Sequence, residues 1–213
     1  QNTSELEILS QNKEKFNRIN TKILLASEKA IEIANNKFTL MSKCKEIGVP
    51  VGEFYLVSKF DDLITKAKKL GWPNENIVVK PPISNGMRGV RIISESRNLK
   101  DSFYSEKPNS LYISMDSLKS TLGNNFPELI VTELLPGDEY SVDVLRNSNR
   151  IIVIPRERNK VRSGITFHGT VIENEKIIEY CTLIAEKLDL KNCFGFQFKI
   201  DKNGIPKILE SNP

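Results

Sequence analysis

The stretch GFQFKIDKNGIPKILESNP, Gly195 to Pro213, constrains the fold most. Two strand-forming runs, 194–200 and 205–209, flank Asn203-Gly204, the strongest short-range signal for a two-residue hairpin turn. With that turn, Lys202 pairs with Ile205, Gln197 falls opposite Glu210, and Gly195 falls opposite Asn212. Alternation then puts Gln197, Glu210 and Asn212 on one face. Paired Cβ atoms lie about 4.5–5.5 Å apart, so one carboxylate and two amides share a patch of sheet. A small set of hard oxygen donors suits Mg²⁺, which keeps water and substrate phosphates in its shell. Taken alone, a hairpin with a polar outer face accounts for the same residues.

A chain of 213 residues makes one sizeable domain or two small lobes, and 39% apolar residues suffice for a core. The net charge is only +4 and the 31 basic residues are spread along the chain, which argues against nucleic acid. The longest aliphatic run, Ile151–Ile154, is far too short to span a membrane, and no signal-peptide pattern is present. The three cysteines, Cys44, Cys181 and Cys193, lack CxxC spacing, so reduced thiols in a cytoplasmic protein are expected. The chain begins without Met and stops at Pro213, which reads as a fragment of a longer protein.

Local patterns predict the following order. A helix runs over 4–20, with Ser4 as its cap, and a short strand over 23–26. A helix begins at Ser27, and a second, capped by Asn35 or Asn36, runs through Cys44 and ends at Gly48. Strand 54–57, helix 58–70 and strand 77–80 lead to the loop PPISNGMRG, 81–89, which contains Gly86 and Gly89. Glycines let backbone amides approach phosphate oxygens, and Lys80 can supply a point charge there. Such loops are also common without that role, and no Walker A pattern is present. Helix 98–104, loop 105–109, helix 114–123 and a turn at 124–127 precede an apolar strand over 129–135. After a turn at 136–138, strand 139–145 alternates Glu139, Ser141 and Asp143 with Tyr140, Val142 and Val144. A strand over 150–155 meets a run of four cations in seven residues, Arg156–Arg162. Such runs are usually solvated loops; the functional alternative is a phosphate or carboxylate clamp, for which the arginine fork is suited. His168 is the only histidine, and a lone histidine more often packs or caps than catalyses. An amphipathic helix over 174–188 leads into the hairpin.

Gln197-Phe198, a turn, and Glu210-x-Asn212-Pro213 resemble the metal-binding end of the ATP-grasp fold, in the version found in the carbamoyl phosphate synthase large chain. Three further motifs occur in the family's order. Asn36-Lys37 with Gly48-Val49-Pro50 is similar to an Asp-Lys helix start followed by G-h-P, with Asn replacing Asp. Lys80-Pro81 through Gly86 and Gly89-Val90 resembles the glycine-rich loop. Glu133 through Gly137, Glu139 and Asp143 resembles the hinge motif.

The resemblance covers roughly 31–213 and implies an α+β, ATP-grasp fold, two lobes clasping ATP between antiparallel sheets. Residues 1–27 would be the remnant of a preceding Rossmann-like domain, 28–131 the small lobe, and 132–213 the large lobe, truncated at its end. It implies Lys37 and Lys80 on the phosphates under a loop containing Gly86 and Gly89. Glu133, Leu134 and Leu135 would lie along the adenine edge, Glu139 on the ribose hydroxyls, and His168 near the phosphates. Lys80, Arg158 and Arg162 would be the catalytic cations. Gln197, Glu210 and Asn212 would hold Mg²⁺, with Mn²⁺ as the alternative.

The implied activity is an ATP-dependent ligase that joins a small-molecule carboxylate to an amine through an acyl phosphate. A homodimer of the full-length protein is a further expectation. The contrasting expectation is a non-catalytic ATP-binding module in a larger protein. The family pattern continues with Arg after the Asn-Pro, so the fragment alone is expected to turn over little or nothing.

Overall fold

The computed structural model describes residues 3–105, 111–162 and 164–213. The loop expected over 105–109 lies outside them beyond Ser105. The chain divides into two compact units, Gln1–Val51 with Leu135–Pro213, and Gly52–Leu134. The expected segment boundaries, after 27 and after 131, do not coincide with this division. Leu6, Leu25, Ile31 and Leu40 share one core with Val142, Ile177 and Phe196, so the N-terminal 51 residues group with the C-terminal sheet.

The helix expected over 4–20 is two helices, α1 (Thr3–Gln11) and α2 (Lys13–Asn17). Asn12 breaks them; its Nδ2 donates to the Ile8 carbonyl at 2.8 Å, a local bond that competes with helix continuation. The segment 23–26 is not a strand, contrary to expectation. Leu25 and Ala26 are buried, but the Leu25 carbonyl accepts from Lys13 Nζ at 2.7 Å and Asn192 Nδ2 at 3.0 Å. Side chains thus satisfy the backbone that a ladder would otherwise have paired. Helix α3 (Glu28–Asn35) is capped by Ser27, whose Oγ accepts from the Ala30 amide. Helix α4 (Lys37–Glu46) is capped by Asn36, whose Oδ1 accepts from the Phe38 and Thr39 amides. It ends with Gly48 at φ +84°, and the Gly48 and Val49 amides donate to the Lys45 and Cys44 carbonyls. Only a residue free of Cβ strain makes that left-handed stop cheaply.

The second unit holds β1 (Phe54–Lys59), α5 (Phe60–Lys69), β2 (Ile77–Lys80), β3 (Arg91–Ile93), α6 (Leu99–Ser105), β4 (Tyr112–Ile113), α7 (Met115–Leu122) and β5 (Asn125–Glu133). Its sheet runs β1-β5-β2-β3-β4 and packs Val57, Ile77, Val79 and Val131 against Leu63, Ala67 and Leu118. The turn expected over 124–127 is instead the start of β5, with Asn125 opposite Lys59. A register irregularity between Val57 and Lys59 accommodates Pro127, which has no amide to donate to a regular ladder.

The first unit resumes with β6 (Glu139–Arg146), β7 (Ile151–Arg162), β8 (Ile165–Val171), α8 (Glu175–Lys187), β9 (Asn192–Ile200) and β10 (Pro206–Asn212). Its sheet is antiparallel, in the order β10-β9-β6-β7-β8. The cation run is therefore strand, not loop. Pro155 does not end β7, because its carbonyl accepts from the Ile172 amide, on the side where pairing with β8 stops. The amide that proline lacks would face that same side. One face of this sheet packs Tyr140, Val142, Val144, Phe194, Phe196, Phe198 and Ile208 against α3, α4 and α8. Each such side chain contributes about 1.5–3 kcal/mol on burial. The other face carries Glu139, Ser141 and Asp143, as the alternation of 139–145 requires, followed by the exposed Leu145, Ile152 and Ile154.

Candidate functional site

The hairpin of β9 and β10 positions the oxygen donors, but by a route the sequence did not suggest. The loop is not the two residues Asn203-Gly204. Asp201 and Ile205 close it, with the Asp201 amide on the Ile205 carbonyl at 3.0 Å and the Gly204 amide on the Asp201 carbonyl at 3.1 Å. Gly204 takes the left-handed position at φ +77°, as three-residue hairpin loops demand. Asp201 Oδ1 accepts from the Asn203 and Ile205 amides. The Ile205 amide, with that of Asn203 and the Lys207 ammonium, holds the Asp201 carboxyl below its usual range.

This longer loop puts Ile208 opposite Phe198, both facing the core. An unbroken ladder would then turn Glu210 inward beside Phe196. A bulge at Leu209, between Ile208 and Glu210, shifts the register by one. A one-residue shift moves every later side chain to the other face. Glu210 therefore stands opposite Gln197 and Asn212 opposite Gly195. The pairs expected from sequence are present, because the loop and the bulge compensate each other.

Two cations meet these oxygens. Lys37, the first residue of α4, places Nζ 3.3 Å from Glu210 Oε2, with its side chain 7% exposed. Helix α4 is held over β10 by the chain that follows it: the Ile208 amide donates to the Pro50 carbonyl, and Val51 bridges to Ile208. A lysine in a helix's first turn opposes the helix dipole; the Glu210 carboxylate offsets that. The second cation is Arg158, whose side chain is 4% exposed. Its Nη1 pairs with Glu139 Oε1 and donates to Gln197 Oε1 at 3.0 Å. Its Nε donates to Thr166 Oγ1 at 2.9 Å and its Nη2 to the Gly164 carbonyl at 2.6 Å. A planar fork with fixed donors is the side chain for such a junction.

Glu139, Arg158, Gln197, Glu210 and Lys37 are thus brought together, with Asn212 on the same sheet face. Among the described residues, Arg162 and His168 make no hydrogen bond or ion pair with this group. Arg162 lies opposite Ile165 and His168 opposite Lys160, both exposed on the outer hairpin. The cation run singles out Arg158 but not what it joins, and nothing local marks Thr166 or Gly164 as its partners. The signal was the strand period: 156 and 158 share a face only if the run is extended.

By donor type the set fits a hard divalent cation, since Gln197, Glu210 and Asn212 all offer oxygens; Gln197 Oε1 and Glu210 Oε2 are shared with Arg158 and Lys37, with which a metal would compete. Among the described residues no cluster of three His, Cys, Asp or Glu gathers anywhere, this site included, so a metal here would rest on one carboxylate and two amides.

In the second unit, Lys80 ends β2, opposite Ile130, and is buried. The loop that follows is exposed and turns through Gly86 at φ +59°, Met87 at φ +60° and Gly89 at φ +75°. A Cβ on Gly89 would stand 2.6 Å from Pro81 Cγ. Glu133 closes the unit: its Oε1 accepts from the Glu53 amide at 2.9 Å. Leu134 and Leu135 lie outside both sheets, and the division between the two compact units falls between them.

The model of the family "ATP-grasp in the biosynthetic pathway with Ter operon" matches residues 125–213. The carbamoyl phosphate synthase large chain of Pyrococcus furiosus is 24% identical over 209 residues, 93% of this chain and 18% of that protein. The L-arginine-specific L-amino acid ligase of Bacillus subtilis is 29% identical over 168 residues, 78% of this chain and 37% of that protein. The chain thus spans well under half the length of these curated relatives. Among solved structures, biotin carboxylase from Campylobacter jejuni matches with a TM-score of 0.70 at 20% identity, over 96% of this chain and 46% of that one. An ADP complex of N5-carboxyaminoimidazole ribonucleotide synthetase matches with a TM-score of 0.69 at 17% identity, over 96% and 51%. The chain has the ATP-grasp fold and resembles, along nearly its whole length, carbamoyl phosphate synthase large chains.

Proposed function

We propose that this chain is the ATP-binding part of a carboxylate–amine ligase that works through an acyl phosphate. The observation that carries the reading is the sheet face on which Gln197, Glu210 and Asn212 stand together, two of them met by buried cations. Support also comes from relatives named as a carbamoyl phosphate synthase and an amino acid ligase, and from a fold neighbour that holds ADP.

A carboxylate oxygen bonds to the γ-phosphorus of ATP, the bond from that phosphorus to the bridging oxygen breaks, and ADP leaves. An amine nitrogen then attacks the acyl carbon, the bond to phosphate breaks, phosphate leaves, and the amine loses a proton. Such transfers need positioning and charge neutralisation more than covalent help. Lys80 and the amides of the loop through Gly86 and Gly89 neutralise and cover phosphate. Leu134 and Leu135 offer backbone to the adenine edge beside Glu133. Glu139 accepts from the ribose hydroxyls, and Arg158 fixes the carboxylate for that task. Mg²⁺, when bound on Gln197, Glu210 and Asn212, supplies charge neutralisation for the phosphates. Because this set has one carboxylate, metal is expected to bind well only with nucleotide.

The test is phosphate release by the complete protein with ATP and Mg²⁺, offered a panel of amino acids, and bicarbonate with ammonia. Release that depends on both a carboxylate and ATP supports the reading. Nucleotide binding with no carboxylate-dependent release would leave only a binding module.

A further inference from the structure

The open face of the β10-β9-β6-β7-β8 sheet continues past the metal-type residues, and its residues fall in rows. Glu210, Gln197, Ser141 and Arg156 are paired across one row. Asn212, Gly195, Asp143 and Ile154 form the next, and Cys193, Leu145 and Ile152 the one after. Apart from Glu210, these rows line a groove of about 620 Å³, within the range of small-molecule sites. The first row is polar, the second mixes Asn212 and Asp143 with Ile154, and the third is Cys193 with the aliphatic Leu145 and Ile152; the Arg156–Asp143 ion pair joins the first two. Gly195 keeps the floor low between Asn212 and Asp143; a Cβ there would stand 3.2 Å from the Val142 carbonyl.

The ion pair is Arg156 Nη2 with Asp143 Oδ2, at 2.8 Å. Among the described residues, Arg156 Nε is buried and has no hydrogen-bond partner. Leu145, Ile152 and Ile154 are 48%, 49% and 42% exposed, more apolar surface than a polar ligand would use.

We propose that this groove binds the carboxylate substrate, and that the substrate is an α-amino acid with an apolar side chain. The proposal rests on the ligase reading above and names its substrate class. The substrate carboxylate lies at the Gln197–Asn212 end, where it is to be activated. Its ammonium group meets Asp143, whose carboxylate Arg156 holds in place. Its side chain covers Leu145, Ile152, Ile154 and Cys193. A charged side chain would be desolvated against that aliphatic row without a partner, which selects against it.

Cys193 makes the binding measurable without turnover, because it is exposed while Cys44 and Cys181 are buried. The complete protein, with Mg²⁺ and a non-hydrolysable ATP analogue, is labelled with N-ethylmaleimide in the presence of leucine. Leucine is expected to slow Cys193 labelling saturably, with about tenfold weaker affinity for Asp143→Asn, as for loss of one charged contact. Glutamate, lysine, 4-methylpentanoate and isopentylamine should protect poorly. Ile152→Glu, at an exposed position, should also lose leucine protection while melting like the parent. Phosphate release with ATP is measured alongside. Asp143-dependent protection by leucine without phosphate release from any carboxylate would support the groove and overturn the ligase reading. Release driven by bicarbonate or a charged amino acid, with no protection by leucine, would overturn the groove and leave the ligase reading. Neither protection nor release would overturn both.

Discussion

Lys37 Nζ lies 3.3 Å from Glu210 Oε2, joining the first residue of helix α4 to the bulged strand that carries the only carboxylate of the metal-type triad. The lysine is buried and the glutamate partly exposed. Removing one charge of such a pair leaves the other poorly compensated. Glu210→Gln keeps the volume and should cost about 1–3 kcal/mol, discounted for solvent access to Glu210. It should abolish Mg²⁺-dependent ATP consumption while metal-free nucleotide binding changes little. Denaturation and steady-state phosphate release check the two halves; a fully active Glu210→Gln protein would remove the residue from the metal site.

Arg158 ties Glu139 to Gln197 across β7, β6 and β9. Lysine cannot reproduce four contacts made by one planar fork. Arg158→Lys should lower stability by about 1–3 kcal/mol, and Arg158→Met by more, since Glu139 and Gln197 then lose their shared donor. Nucleotide affinity should fall in both. A double-mutant cycle with Glu139→Gln should show a coupling of at least about 0.5 kcal/mol. Additive effects would mean that the contact carries no energy.

Gly89→Ala places a Cβ 2.6 Å from Pro81 Cγ, in a backbone conformation at φ +75°. The loop must then re-form, at a cost of about 1–3 kcal/mol. If the loop covers phosphate, ATP binding should weaken with AMP binding nearly unchanged, and Lys80→Ala should show the same split. Calorimetric titration of both nucleotides measures it. Equal losses for ATP and AMP would assign these residues a structural role.

Burial pushes the Cys44 thiol up from 9.0 to about 12, and burial raises Cys181 as well, helped by Cys44. Iodoacetamide should therefore label one thiol of three in the native protein, Cys193, and all three in denaturant. The raised folded values also set a sign. Between pH 9 and about 12 the unfolded chain releases these protons and the folded chain keeps them, so stability falls as pH rises through that window. Equilibrium unfolding of Cys44→Ala against the parent across that range measures the contribution: a parent curve no steeper than that of the variant would contradict it.

The features legible in the sequence alone are those set within a few residues. Ser27 and Asn36 cap helices because each side chain reaches an amide two or three residues ahead, although Asn35 reads as an equal alternative to Asn36 in the sequence. The alternation of Glu139, Ser141 and Asp143 with Tyr140, Val142 and Val144 follows from the period of the strand, and burial on one face agrees with it. The face shared by Gln197, Glu210 and Asn212 was also legible, although the turn reasoning behind it was not correct. The three-residue loop and the bulge at Leu209 depend on Asp201 binding the Asn203 and Ile205 amides and on Phe198 and Ile208 both seeking the core.

Tertiary structure alone decided the rest. Whether the Arg156–Arg162 run is loop or strand depends on β8 pairing beside it. Two of the four partners of Arg158, Glu139 and Gln197, lie 19 and 39 residues away and meet it only because the sheet runs β10-β9-β6-β7-β8. Residues 23–26 have the composition of a strand, but strand is a property of pairing, and the Leu25 carbonyl found Lys13 and Asn192 instead. Caps, turns and periods are local energies that a short segment carries with it. Register, bulges and buried ion pairs are settled by which distant strand arrives alongside.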